Sequence, residues 1–300
     1  YPAGSVNGTA DDLALFAAAL MPEQGKDSPL FEDRTTLDEM LSQTYPLGPG
    51  LTGYAHGFME WDGEYPTFGH GGNTAVFSTQ MNIVPEERFG LIVLTNAANE
   101  IEITMGLTEE LLGKNERAVQ ASATDLPDAS TVEGKYISAR GMFNSFLEFN
   151  SYLGLLNIKA TEPNKIQLSL AGQSGTYLQT EPYRYERIEA NGSIFKHNLA
   201  TVYFEVYDGN VIKMSGDYLP LQSGRTMPWL IWSLIALLLC VTYFFASPLT
   251  MLTVSLIRKR KGSPPSVSKR PLLYNRFLLL TGFALLANNL YYQFDLQCLV

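Results

Sequence analysis

The stretch Phe68–Asn96, FGHGGNTAVFSTQMNIVPEERFGLIVLTN, decides the fold of the first part of the chain. Its two runs TAVFSTQMNIV and FGLIVLTN flank a Pro-Glu-Glu-Arg turn and predict two paired strands. Just before them, His70 precedes Gly71 and Gly72. Glycines let a ligand approach a strand backbone closely, and a histidine there can donate a hydrogen bond or carry a proton near neutral pH. The same residues also fit a hairpin glycine pair with an incidental histidine.

The residues around this stretch predict an α+β domain over residues 1–117, with an antiparallel sheet flanked by helices. Thr9–Leu20 has a capping threonine and helical apolar spacing, and Thr36–Leu41 predicts a short second helix. The runs GYAHGFMEW and EYPTFGH predict one strand each, joined by a turn at Asp62 and Gly63. The run ANEIEITMGLTEELLGK predicts a closing helix that ends at Gly113.

A change of pattern follows this domain. Residues 118–129 have the composition of a linker, and residues 130–226 consist of short aromatic and β-branched runs broken by Gly, Asn and Pro. This pattern predicts a small all-β module, with a hairpin turn at YDGN. We interpret His197 in this module as an exposed strand residue without a chemical role.

Composition excludes several classes of function. The chain has a net charge of -9, and residues 1–225 hold 14 basic against 29 acidic residues. Nucleic-acid binding by this part is therefore not expected, because phosphate binding needs a basic surface. The two cysteines, Cys240 and Cys298, both lie in apolar runs. They offer no disulfide framework to the acidic region, and we expect neither a metal nor another cofactor.

The last quarter of the chain has the composition of a membrane anchor. Residues 227–257 carry no charge and are long enough to cross a bilayer, although a buried core helix is the alternative. Residues 277–300 form a second, weaker and truncated candidate span. The segment 258–276 between them is basic, which favours a cytoplasmic loop. We therefore predict a multi-pass protein of the cell membrane, with the lipid bilayer as a partner and residues 1–226 outside the cytoplasm.

The order of elements around GHGG resembles the C-terminal half of the serine β-lactamase-related domain found in class C β-lactamases, penicillin-binding DD-peptidases and related esterases. The resemblance covers about residues 1–114, and the module and apolar runs are similar to the tails of membrane-bound members. In that family a Lys-Thr-Gly or His-x-Gly motif lies on the strand that edges the active site. His70, Gly71 and Gly72 match this motif, so the resemblance implies that they bind substrate together with Asn73. It implies that His70 faces the substrate cleft and that the Asn73 N–H contributes to an oxyanion hole.

The family's catalytic motifs are not found where the resemblance requires them. Tyr-x-Asn is absent, and the Ser-x-x-Lys pattern at Ser266–Lys269 falls in the basic loop, where we interpret it as a chance match. We therefore expect a truncated, membrane-anchored serine hydrolase that acts by an acyl-enzyme on a small-molecule or peptide amide or ester, with no catalytic residue in this chain. The alternatives are a non-catalytic extracytoplasmic binding or regulatory module, and a membrane-protein subunit whose β module meets a partner.

Overall fold

The computed structural model describes residues 7–61, 63–74, 76–113, 119–120, 125–141, 151–152, 154–221, 227–262 and 269–298. The chain divides into two compact units, residues 1–221 and residues 222–300. The first unit contains a six-stranded sheet with its helices and a closed eight-stranded barrel. The predicted mixture of helices and sheets is confirmed, and the module predicted as all-β is this barrel.

Both helices predicted at the start of the chain are present. Helix α1 spans Ala10–Ala19, and Thr9 caps it through a reciprocal box: Asp12 N donates to Thr9 Oγ1 at 3.1 Å, while Thr9 N donates to Asp12 Oδ2 at 2.9 Å. Helix α2 spans Arg34–Met40, and the side chain of Asp33 accepts from the N–H of Thr35. These local bonds satisfy backbone donors that the first turn leaves free.

The sheet is antiparallel, and its strands lie side by side in chain order. The strands are β1 Tyr45–Pro46, β2 Gly53–Ala55, β3 Phe58–Trp61, β4 Thr67–Asn73, β5 Ser78–Val84 and β6 Phe89–Thr95. Helix α1 packs on one face, where Leu20, Met81 and Ile83 belong to a buried apolar core. The burial of this core stabilises the sheet and fixes which face each strand residue occupies.

One predicted strand in this sheet is a hairpin. The run GYAHGFMEW predicts a single strand, but the chain reverses at His56 and Gly57, whose φ angles are 45° and 98°. Two consecutive positive φ angles are typical of a two-residue hairpin turn. The single-strand prediction is wrong because His-Gly lacks the Asn-Gly or Asp-Gly signal that marks such turns.

The closing helix is shorter than its sequence predicts. Helix α3 spans Gly106–Leu112 and stops before Gly113, where φ is 78°. The preceding turn is held by the Glu100 carboxylate, which accepts from Ile103 N at 2.6 Å and Thr104 N at 3.0 Å. A carboxylate that binds these N–H groups ends the loop and leads the chain into the helix.

The barrel closes in the order β10-β11-β12-β13-β14-β7-β8-β9. Its strands are β7 Gly134–Ser138, β8 Leu156–Glu162, β9 Lys165–Leu170, β10 Gln173–Glu181, β11 Arg184–Asn191, β12 Thr201–Tyr207, β13 Asn210–Met214 and β14 Tyr218–Pro220. A 3-10 helix, Ala129–Val132, and a short helix α4, Ser193–His197, pack with them. The core is apolar and aromatic, and it includes the fully buried Tyr177, Tyr185 and Phe204.

The second unit consists of two long helices, α5 Met227–Lys261 and α6 Lys269–Cys298. They contact each other where Tyr243 Oη donates to Asn275 Oδ1 at 2.8 Å and where Phe245 meets Phe283. Both helices extend into the segment 258–276 that was predicted as a loop, and residues 263–268 lie outside the described residues. By length and composition, Ile231–Lys261 could cross a membrane, whereas the apolar stretch of α6, Leu273–Leu285, is shorter.

Candidate substrate-binding strand

All four predicted substrate-binding residues, His70 to Asn73, lie in the second half of β4. Strand β3 pairs with β4 only as far as Gly69, which lies opposite Met59. From His70 onward, β4 pairs with β5 alone among the described residues. The other edge of this half-strand is therefore open, and a ligand can reach its backbone there.

The hydrogen-bonding pattern indicates which peptide groups face the open edge. Thr74 N donates to Phe77 O at 2.8 Å, so these two residues form a hydrogen-bonded pair at the hairpin end. Bonded and non-bonded pairs alternate along an antiparallel ladder, and the β4–β5 register has no shift. It follows that Asn73 and Gly71 occupy non-bonded positions, with their N–H and C=O groups directed away from β5. The N–H of Asn73, for which the resemblance implies an oxyanion-hole role, is therefore directed toward the open edge.

His70 and Gly72 share the face of the sheet that α1 covers at its other end. His70 lies opposite Met81, Gly72 lies opposite Thr79, and Thr79 lies opposite Leu94 on β6. His70, Gly72 and Leu94 are exposed, so this end of the α1 face is open. The sequence interpretation missed Thr79 and Leu94, although the alternation of the two strands was sufficient to place them beside the motif.

The glycines do not all serve the same purpose. Gly69 and Gly71 face the opposite side of the sheet, where a Cβ on Gly71 would lie 2.5 Å from Gln80 Oε1 and one on Gly69 would lie 2.1 Å from Asn82 Oδ1. Among the described residues, a Cβ on Gly72 would meet only Thr79 Oγ1, at 3.0 Å. Gly71 therefore lacks a side chain because a buried amide occupies that space, whereas Gly72 leaves the exposed face free.

The site is an open strand and not a pocket. Two cavities among the described residues are lined by other parts of the sheet domain, and neither is lined by His70 to Asn73. One is lined mainly by the β5–β6 turn and α3, and the other lies between α1, α2 and Pro85. Burial of a small ligand at His70 would need further walls.

A second Ser-x-x-Lys pattern occurs at Ser193–Lys196, and the sequence interpretation overlooked it. The pattern begins helix α4 of the barrel, and both side chains bind one carboxylate. Ser193 Oγ donates to Glu102 Oε1 at 2.6 Å, and Lys196 Nζ donates to Glu102 Oε2 at 2.9 Å. The pattern is visible in the sequence itself, and a search for every Ser-x-x-Lys would have found it.

The chemistry of this cluster opposes a nucleophilic role. The hydrogen bond from Lys196 to Glu102 raises the pKa of Lys196. The amine is therefore held as an ammonium, which cannot accept a proton from serine. Hydrogen bonds from Ser193, Lys196 and His197 lower the pKa of Glu102 to about 2, which makes that carboxylate a weak base. Through Glu102, Ser193 and Lys196 join the barrel to the turn before α3. We do not assign these two residues to catalysis.

His197 is buried in this junction, and the prediction of an exposed strand residue is wrong. It ends helix α4 and its side chain is 1% exposed. Its Nε2 lies 3.2 Å from Glu102 Oε2, and its Nδ1 lies 2.9 Å from Glu109 Oε2, close enough for an ion pair but without hydrogen-bond geometry. Its burial against the sheet domain could not be predicted, because the two carboxylates are distant in sequence.

A second junction connects the barrel to the other end of the sheet. Arg140 donates to the Tyr54 hydroxyl at 3.2 Å and lies 3.4 Å from an Asp217 carboxylate oxygen. Burial and the Asp217 charge raise the pKa of Tyr54, so the phenol stays protonated and can donate. These contacts also attach the barrel to the domain that carries the strand.

Residues 1–110 match the family model described as β-lactamase. This match supports a β-lactamase-related domain in this part of the chain. Similar solved structures include a crystal structure of SurE (15% identity, TM-score 0.42, covering 71% of this chain and 48% of that one) and SurE with D-Leu (15%, 0.42, 71% and 49%). A third is the octameric penicillin-binding protein homologue from Pyrococcus abyssi (17%, 0.30, 70% and 46%). The chain spans about half the length of these proteins. No curated protein matches it.

Proposed function

We propose that this chain supplies the substrate-binding strand of a membrane-anchored, β-lactamase-related serine hydrolase. The enzyme would form and hydrolyse an acyl-enzyme on an amide or ester outside the cytoplasm. Its serine nucleophile, lysine and tyrosine would come from a segment other than residues 1–300. The observation that carries the proposal is the open half of β4, where a motif of the family lies at an accessible edge.

The open edge suits an acyl-transfer substrate. A substrate carbonyl laid along β4 can accept from the outward-facing N–H of Asn73, and fixed backbone donors stabilise the charge that develops on its oxygen. A peptide-like substrate can add further bonds to Gly71 as an extra strand would. The substrate class is therefore a small molecule or peptide with a planar acyl group.

His70 has the position of a substrate-contacting residue. It is exposed, it projects from the same face as Gly72, and no described side chain hydrogen-bonds to its ring. An imidazole there can donate a hydrogen bond to substrate or transfer a proton near neutral pH. A histidine with a purely structural role would instead be buried against a partner, as His197 is.

The test is His70→Ala in the complete protein, with labelling by a fluorescent fluorophosphonate as the readout. Acylation should fall by about 10²–10⁴-fold, the size of a general acid–base contribution, while the melting temperature stays unchanged. The matched control is His56→Asn, because His56 is also exposed and asparagine tolerates its positive φ. Wild-type labelling in His70→Ala would refute the assignment. An adduct on Ser193 would refute our interpretation that Ser193 and Lys196 are not catalytic.

We also propose that residues 227–257 anchor the protein, with residues 1–226 outside and the basic segment inside. Arg258–Lys261 at the end of α5 and the two basic residues that open α6 support this orientation. Single cysteines at Ser130 and Ser263 should differ in intact cells: an impermeant thiol reagent should label the first and not the second. Equal labelling would rule the topology out.

A further inference from the structure

A row of buried polar side chains lies directly beneath the glycines of β4. Gln80 and Asn82 on β5 are 1% and 0% exposed, and they lie opposite Gly71 and Gly69. Gln80 Nε2 donates to Asn82 Oδ1 at 2.9 Å, and Asn82 Nδ2 donates to Thr108 Oγ1 of α3 at 2.8 Å. The row therefore ties β5, which pairs with the glycine strand, to the closing helix.

This row is not explained by stability alone. Gln80 Oε1 is buried and has no hydrogen-bond partner among the described residues, which is unfavourable for a carbonyl group removed from water. Apolar side chains fill the equivalent positions on the α1 face, where Met81 and Ile83 are buried. An unpaired buried polar group of this kind is expected near a functional site, where the structure is adapted to function and not only to stability.

We propose that Gln80, Asn82 and Thr108 are positioning residues for the substrate-binding strand. The two amides occupy the space that side chains at Gly69 and Gly71 would take, so the backbone of β4 rests on them. Substrate meets β4 at its open edge and α1 face, and the amides limit how far the strand can move toward α3. The catalytic consequence depends on the proposed function, but the effect on the strand does not.

The first test measures amide hydrogen exchange of Thr67–Asn73 in the whole chain in detergent, for wild type and Gln80→Leu. Leucine keeps the volume and removes the amide, so exchange in β4 should quicken roughly five- to tenfold, as for the loss of about one hydrogen bond. Exchange in β6, Phe89–Thr95, should stay unchanged. Unchanged exchange in β4, or an equal rise in both strands, would overturn the proposal.

The second test uses the collision at Gly71 and does not depend on Gln80→Leu folding well. Gly71→Ala should speed exchange in β4, because its Cβ would meet Gln80 Oε1. Adding Gln80→Ala should return the rate to that of Gln80→Ala alone, since the nearest remaining atom, Thr79 O, is 3.4 Å away. The control pair, Gly69→Ala with Asn82→Ala, should not recover, because Met81 O remains 2.4 Å from the new Cβ. If exchange in Gly71→Ala/Gln80→Ala stays faster than in Gln80→Ala alone, the positioning role of Gln80 is refuted.

In the complete enzyme, Gln80→Leu should lower kcat/KM, and so should Gln80→Glu, which keeps the shape of the side chain but removes the Nε2 donor to Asn82 Oδ1. If the wild-type enzyme shows no hydrolase activity, the proposed function fails while the exchange result still decides the positioning role. If exchange in β4 is unaffected and activity is normal, the positioning role fails while the proposed function stands.

Discussion

The sheet domain and the barrel fill their interiors differently. Beneath β4 the sheet buries Gln80, Asn82 and Thr108 against glycine backbone. The barrel interior is aromatic, and the hydroxyls of Tyr136 and Tyr177 donate to the carbonyls of Val132 and Leu199. Burial raises the pKa of both phenols, so they remain neutral donors.

The difference separates a region adapted to a site from one adapted to packing. Glycines and buried amides stabilise a sheet less than apolar side chains do, but they define where a backbone lies. Interlocking rings give the barrel a dense core, with Phe204 in edge contact with Tyr136 and Tyr185 at centroid distances of 5.8 and 5.6 Å. We therefore expect barrel substitutions to change stability and β4 substitutions to change activity.

The largest expected effect is on the barrel. Phe204→Ala removes a fully buried ring and should lower the free energy of unfolding by about 3–5 kcal/mol. Turnover per folded molecule of the complete enzyme should stay at the wild-type value, because Phe204 is in the barrel core and does not touch β4. Chemical denaturation followed by fluorescence, with activity measured on the folded fraction, checks both parts.

A matched variant sharpens this result. Phe204→Leu keeps most of the buried volume and should lose clearly less stability than Phe204→Ala. Loss of turnover in proportion to stability in both variants would show that the barrel takes part in the site, and the division between the two regions would then be wrong.

The strands were predictable from sequence where alternation and turn residues agree. The pair β5 and β6 has both signals, and so has α1 with its capping threonine. The hairpin at His56 was not predictable, because its turn residues are atypical and a continuous apolar run conceals the reversal. The position of His70 and Gly72 on one face followed from strand periodicity, whereas the row under Gly71 depends on α3, which only the folded chain brings there.

The junction between the two regions was the least predictable part. Helix α4 has five residues, too few for a periodic pattern, and its partners Glu102 and Glu109 are nearly a hundred residues away. A sequence pattern cannot distinguish Ser193 and Lys196 as a catalytic pair from the same residues bound to a distant carboxylate. Only the contact with Glu102 shows how the lysine is held.

The smallest expected effect concerns this junction and depends on pH. Glu102 has its pKa lowered from 4.5 to about 2 in the folded protein, so its contribution to stability is present above pH 4.5 and is lost as the pH falls toward 2. Glu102→Gln should therefore lower the melting temperature at pH 7 and have a much smaller effect at pH 2. The change should be modest, because the carboxylate is exposed and the junction at Tyr54 remains. Glu23→Gln, which removes an exposed i,i+3 pair with Lys26, is the control and should leave the melting temperature unchanged at both pH values. A difference between Glu102→Gln and wild type that is as large at pH 2 as at pH 7 would show that Glu102 acts through packing and not through its charge.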